Sequence, residues 1–169
     1  MESWTRLDAA PADAARALLA ACCGSSRWVE RMLERRPFGS LEELLSIARR
    51  EWFALAPDDW REAFAQHPRI GNREDLQRRF ATTRQLSERE QSGIAGAPHE
   101  ILDALADANR SYEERFGYIF IVCATGRTAA QMLELLRERL SNRPEVEIEV
   151  AATEQAKITE LRLLKLGAG

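Results

Sequence analysis

One of the chain's two histidines, His67, opens the stretch "HPRIG" and is followed at once by proline. Proline disfavours helix in the residue before it and cannot continue the helical hydrogen-bond ladder. His67 is therefore expected where a helical run ends, presented rather than packed. An imidazole titrates near neutral pH, so a side chain held there suits a general acid or base. A histidine that only meets the last carbonyls of its helix would occupy the same place. The other histidine, His99 in "GAPHEIL", follows Pro98 at the start of a helix and is expected to serve the surface.

Three further stretches carry polar groups in patterns that could bind a ligand. In "SEREQSGIAGA", Ser87 can cap a helix while Glu90 closes a capping box, which is a purely structural role. Glu90 and Gln91 also lie three and four residues after Ser87, so all three group on one face near the helix's positive end. A hydroxyl, a carboxylate, an amide and free backbone N–H groups could together hold a small polar molecule. "FGYIFIVCATG" is core for most of its side chains, but Gly117 and Gly126 bracket it. Wherever its backbone departs from regular helix, amides become free to bind a ligand. In "ITELRLLKL", Arg162 stands among leucines. It is either a surface arginine with a buried stem or a carboxylate clamp, since its planar fork matches that anion.

Helices must position these groups. Pro11 can open "PADAARALLAACC", with Ala14, Ala17, Leu18 and Ala21 forming one stripe, and Ser26 can cap "RWVERMLERR". Ser40 starts "LEELLSIARREWFAL", with Glu43 as its capping-box partner. "PDDWREAFAQ" leads to His67 with Trp60, Ala63 and Phe64 facing inward. "REDLQRRFA", "SEREQSGIA", "PHEILDALADANRSYEERF" and "TAAQMLELLRERLSN" read as further helices, the last ended by Pro144. "YIFIVCA" and the strictly alternating "EVEIEVA" could pair as a small sheet. No breaker interrupts the chain from Glu145 to Leu166, however, and Val150, Ile158, Leu161 and Leu164 keep helical spacing. One long C-terminal helix is the favoured expectation. With no Pro- or Gly-rich linker and no repeat, residues 1–169 are expected to form one all-α domain.

Composition narrows the function classes. The 169 residues are 45% hydrophobic and 30% charged, enough for a core and a soluble surface. A net charge of −3, from 24 basic and 27 acidic residues, argues against a nucleic-acid partner. No window approaches the roughly 18 apolar residues of a membrane span. The start lacks a secretory pattern and the end, "LLKLGAG", lacks a peroxisomal tripeptide. Cys22, Cys23 and Cys123 are odd in number and match neither a disulfide framework nor a zinc site. A reduced, cytoplasmic protein is expected, with Cys123 as a small buried hydrophobe.

In order along the chain, "RPFGSLEELL", "HPRIG", "SEREQ", "FGYIFIVCATG" and "NRPEVEIEVAATEQAKITELRLLKL" resemble the 2-oxo-4-hydroxy-4-carboxy-5-ureidoimidazoline (OHCU) decarboxylase family. The resemblance covers essentially the whole chain. It implies an all-α enzyme without cofactor or metal, usually a homodimer, that converts OHCU to (S)-allantoin in urate degradation. It also implies roles. His67 would donate the proton, with Pro68 lining the site, and Glu90 would press on the scissile carboxylate. Ser87 and Gln91 would bind ureido and ring groups, and Arg162 would complete the pocket. Backbone groups of Ile119, Phe120, Ile121, Val122 and Cys123 would hold the ring. One position departs: many relatives carry proline where this chain has Ile119. Two alternatives stand beside this: a non-catalytic helical binding module, and a decarboxylase of a related ureide or heterocyclic carboxylate.

Overall fold

Helices account for every regular element in the computed structural model, which describes residues 1–68 and 98–168. Among the described residues there are eight: α1 Ser3–Ala9, α2 Ala12–Cys22, α3 Ser26–Glu34, α4 Leu41–Phe53, α5 Pro57–Ala65, α6 His99–Phe116, α7 Ala129–Leu140 and α8 Pro144–Lys165. The expected helices "REDLQRRFA" and "SEREQSGIA" lie outside the described residues. The chain divides into two compact units, one of Met1–Gln66 with Val150–Gly169, the other of His67–Glu149.

In the first unit, side-chain caps start the helices. Ser25 accepts from the Trp28 amide, so α3 is capped one residue earlier than the Ser26 expected from sequence. Ser40 accepts from the Glu43 amide, and Pro57 opens α5, where a missing N–H costs nothing. Helix α2 buries Ala15, Leu19 and Cys22, not the expected stripe of Ala14, Ala17, Leu18 and Ala21. Its alanines make several faces apolar, and burial selects the face carrying Leu19 and Cys22, because bulkier side chains remove more apolar area from water. Trp60, Ala63 and Phe64 are buried as expected.

Tryptophans tie these helices together. Trp28 donates its indole N–H to the Ala48 carbonyl at 3.0 Å, Trp60 to that of Trp52 at 3.0 Å, and Trp52 to that of Ala152 at 2.9 Å. Buried indoles need such an acceptor. Ala152 belongs to a small-residue stripe of α8, with Ala151, Ala156 and Thr159 also buried. Small side chains allow the close approach that brings an indole to the α8 backbone.

In the second unit, α6 buries Leu102, Leu105, Ala106, Asn109 and Tyr112 along one face. It ends at Gly117, whose φ of 80° is open to glycine and whose N–H returns to the Glu113 carbonyl at 2.8 Å. Thr128 and Gln131 form a complete capping box at the start of α7. Residues 117–128 between them are neither helix nor strand. The small sheet considered from sequence is absent among the described residues, because "EVEIEV" lies within α8. That helix is 22 residues long, about 33 Å at the usual rise, and Pro144 opens it as well as closing the preceding segment.

Candidate active site

Helix α5 ends at Ala65, with Gln66 at its C-cap and the half-buried His67 one residue beyond. Pro68 follows, exposed. The histidine thus stands past a finished helix, as the His-Pro pair predicted. Gly24 approaches this corner closely: a Cβ there would lie 2.3 Å from Gln66 Cγ and 2.7 Å from its Cβ. Glu62, on α5, accepts from the amide and hydroxyl of Ser26, which anchors the same end of α5 to the start of α3. His99 is exposed as the first residue of α6.

Arg162 is half-buried on α8 and donates from Nη1 to the Cys22 carbonyl at 3.3 Å. Among the described residues it forms no ion pair, so its charge is balanced by no carboxylate there. Its surroundings include the buried thiols of Cys22 and Cys23, the latter hydrogen-bonded to Thr159 of α8. Burial pushes the thiols of Cys22 and Cys23 up to about 11 each, and the Arg162 cation lowers both only in part. Both are therefore protonated and unreactive near neutral pH. A half-buried guanidinium with an open fork is a ready partner for a substrate anion.

The run 119–123, between α6 and α7, is neither helix nor strand. Phe120, Ile121 and Val122 are buried, while Ile119 and Cys123 are half-buried, so Cys123 is less enclosed than expected. Among the described residues, none of the amides of Ile119, Phe120, Ile121 and Val122 donates to a backbone carbonyl. Buried N–H groups are ordinarily paired, so a row of open donors marks backbone that a ligand could satisfy.

Behind this run lies a cluster that the sequence did not single out. Arg139, 4% exposed, donates from Nε to Glu147 Oε1 at 2.7 Å and from Nη1 to the Ile121 carbonyl at 2.7 Å. Its Nη2 lies 2.6 Å from the same carboxylate. Tyr112 O–H and Asn142 Nδ2 complete the hydrogen bonds to Glu147, and the Arg139 guanidinium sits 4.5 Å from the Phe120 ring centroid. Burial, and then donation to Glu147, push the Tyr112 hydroxyl well above its ordinary pKa. A detectable signal was spacing. Arg139 continues the buried stripe of Ala129, Met132 and Leu136 on α7, where a solvated charge would not belong.

Ser87, Glu90 and Gln91 lie outside the described residues. Of the others, Arg162 belongs to the first unit, and His67, Pro68 and 119–123 to the second. A shallow groove of the first unit, lined by Leu45, Trp52, Ala156 and Leu163 among others, includes none of the expected site residues. Among the described residues no three His, Cys, Asp or Glu side chains cluster as a metal site, and no helix is long and apolar enough to cross a membrane.

The OHCU decarboxylase family model matches residues 8–164. The chain is 44% identical over 146 residues to the uric acid degradation bifunctional protein TTL of Arabidopsis thaliana, a match covering 86% of this chain and 45% of that protein. It thus spans less than half the length of that relative. Identity to the 2-oxo-4-hydroxy-4-carboxy-5-ureidoimidazoline decarboxylase of Amia calva is 35% over 136 residues, covering 76% of this chain and 73% of that one. The Mus musculus protein of the same name is 32% identical, with 78% and 74% covered. A crystal structure of OHCU decarboxylase in the presence of (S)-allantoin is similar with a TM-score of 0.72 and 43% identity, covering 89% of this chain and 96% of that one. A structure of (S)-allantoin synthase shares the fold with a TM-score of 0.70 at 18% identity, covering 96% of this chain and 53% of the other.

Proposed function

The chain belongs to the OHCU decarboxylase family, and on that premise we propose that it removes CO2 from OHCU and leaves (S)-allantoin, a step of urate degradation. The observation that carries this is the family match across residues 8–164, which spans every position given a role below.

The chemistry is within reach of these side chains. When the C–CO2⁻ bond breaks, its electron pair remains on carbon and needs a sink. The ring C=N of OHCU supplies one if the breaking bond stands perpendicular to the ring plane, so no cofactor is called for. CO2 departs, and the pair enters the bond to the neighbouring ring carbon as the C=N electrons move onto nitrogen. A proton is then added to the carbon of that former C=N, while the hydroxyl proton leaves oxygen, ends as ring N–H and turns the hydroxyl into a carbonyl. The protein has to hold the torsion, desolvate the carboxylate and deliver the proton to one face.

His67 is assigned the proton donor, with Pro68 fixing the backbone beside it. Proton transfer of this kind contributes about 10²–10⁴-fold. Delivery from one side accounts for a single product enantiomer. Glu90 is assigned a place beside the scissile carboxylate, where like charge favours departure as neutral CO2. Ser87 and Gln91 are assigned to the ureido and ring polar groups. Arg162 is assigned to an anionic or carbonyl oxygen of the substrate, which its lack of a described carboxylate partner supports. The amides of 119–123 are assigned to the ring, which the open hydrogen-bonding capacity of Ile119, Phe120, Ile121 and Val122 supports. A homodimer is assigned on the family resemblance, and a cytoplasmic location on the three cysteines, which make no disulfide framework.

Freshly generated OHCU added to the purified chain is the direct test, with circular dichroism following the product. The expected result is (S)-allantoin accumulating faster than in the uncatalysed control. Racemic product at the control rate would reject the assignment. Sedimentation velocity tests the dimer.

A further inference from the structure

We propose that Arg139 is a positioning residue for substrate binding: by holding the Ile121 carbonyl it turns the Val122 amide toward the substrate ring. The proposal rests on the assignment of 119–123 to the ring.

The geometry is that of a single peptide unit. Among the described residues the one cis peptide bond is Arg36–Pro37, so the Ile121–Val122 peptide is trans. In a planar trans peptide the C=O of one residue and the N–H of the next point in opposite directions. The Ile121 carbonyl accepts from Arg139 Nη1 at 2.7 Å. The Val122 N–H is consequently aimed away from the guanidinium. It has no acceptor among the described residues, although Val122 itself is only 1% exposed. A buried donor kept without a partner is costly, which fits a donor reserved for a ligand.

Arg139 is suited to this because it cannot easily move. Glu147 holds its Nε, and Glu147 is in turn held by Tyr112 and Asn142. The guanidinium also lies over the Phe120 ring, a second grip on the same run. A fully satisfied buried network of this kind is rigid. Lysine in its place could not make these contacts together, since an ammonium lacks the planar fork.

The test combines kinetics with amide NMR on the whole chain. Removing Arg139 alone leaves Glu147 buried without its cation and endangers folding. The variants are therefore Arg139→Lys and the double variant Arg139→Met with Glu147→Gln, which removes both charges together. In the wild type, (S)-allantoin is expected to shift the Val122 amide resonance. In the folded double variant, KM for OHCU should rise about threefold to tenfold, the worth of one hydrogen bond, with kcat and its pH profile little changed. The Val122 shift should shrink, and Arg139→Lys should recover part of the loss. Unchanged KM and an unchanged Val122 shift in a folded double variant would overturn the role of Arg139. So would a fall in kcat tracking thermal stability while KM stays constant. If the wild-type amides of 119–123 ignore (S)-allantoin while OHCU is still turned over, the ring assignment itself is wrong and the proposal goes with it.

Discussion

Arg162 Nη1 donates to the carbonyl of Cys22 across 3.3 Å, and its charge partly offsets the upward push that burial gives the Cys22 and Cys23 thiols. The cation is thus held in place by a neutral group, leaving the remainder of its donor fork available to an anion.

Arg162→Met is expected to raise KM for OHCU by about 10- to 100-fold, the worth of a charge-assisted hydrogen bond of about 1.5–3 kcal/mol. Thermal unfolding should change little, because the side chain is only half-buried. Steady-state kinetics beside a melting curve checks both; an unaltered KM would remove Arg162 from substrate binding.

His67→Gln is expected to lower kcat by about 10²–10⁴-fold while far-UV circular dichroism stays helical. The helix before it is already complete at Ala65. Retention of full turnover would mean that another group delivers the proton.

Gly24→Ala is expected to destabilise the protein by about 1–3 kcal/mol, as overpacking does. The new Cβ would meet Gln66 Cβ and Cγ at 2.7 and 2.3 Å, near the side chain's root rather than at its flexible end. Since Gln66 immediately precedes His67, kcat should fall as well. Urea titration and kinetics read the two effects separately, and a fully stable, fully active variant would contradict the packing described.

Alkaline stability should respond to the buried thiols. In the folded chain Cys22 and Cys23 titrate at about 11, while the ordinary value is 9.0. Between those values the unfolded chain has lost protons that the folded chain still holds, so stability falls as pH rises. The contribution is complete below about pH 9 and disappears through about pH 11. Tyr112, raised well above its ordinary value, adds to the decline in the same direction. Urea midpoints from pH 8 to pH 11 should therefore fall less steeply for Cys22→Ala with Cys23→Ala than for the wild type. Parallel slopes would show that the thiols titrate normally in the fold.

Much of the architecture was legible in local chemistry. Ser40, Pro57 and Pro98 begin helices because capping and proline geometry act over a few residues. The uninterrupted chain after Pro144 became one helix despite the alternation of "EVEIEV", since continuity over many residues outweighs a short period-two pattern. His67 at a helix end followed from the clash proline imposes on its neighbour. Burial was less legible: the stripe of Ala14, Ala17, Leu18 and Ala21 was wrong because alanine distinguishes one helix face poorly from another.

The residues by themselves determined the described helices, most of their starts and stops, and the family to which the chain belongs, because all of these are written in short-range order. Tertiary structure alone decided the course of 119–123. Its apolar run is compatible with a helix, a strand or neither, and what holds it is a guanidinium from α7 together with a carboxylate from α8. It likewise decided that Arg139 is buried and Arg162 only half-buried. A charge is read as solvated until packing shows which hydrogen bonds replace the water it has lost.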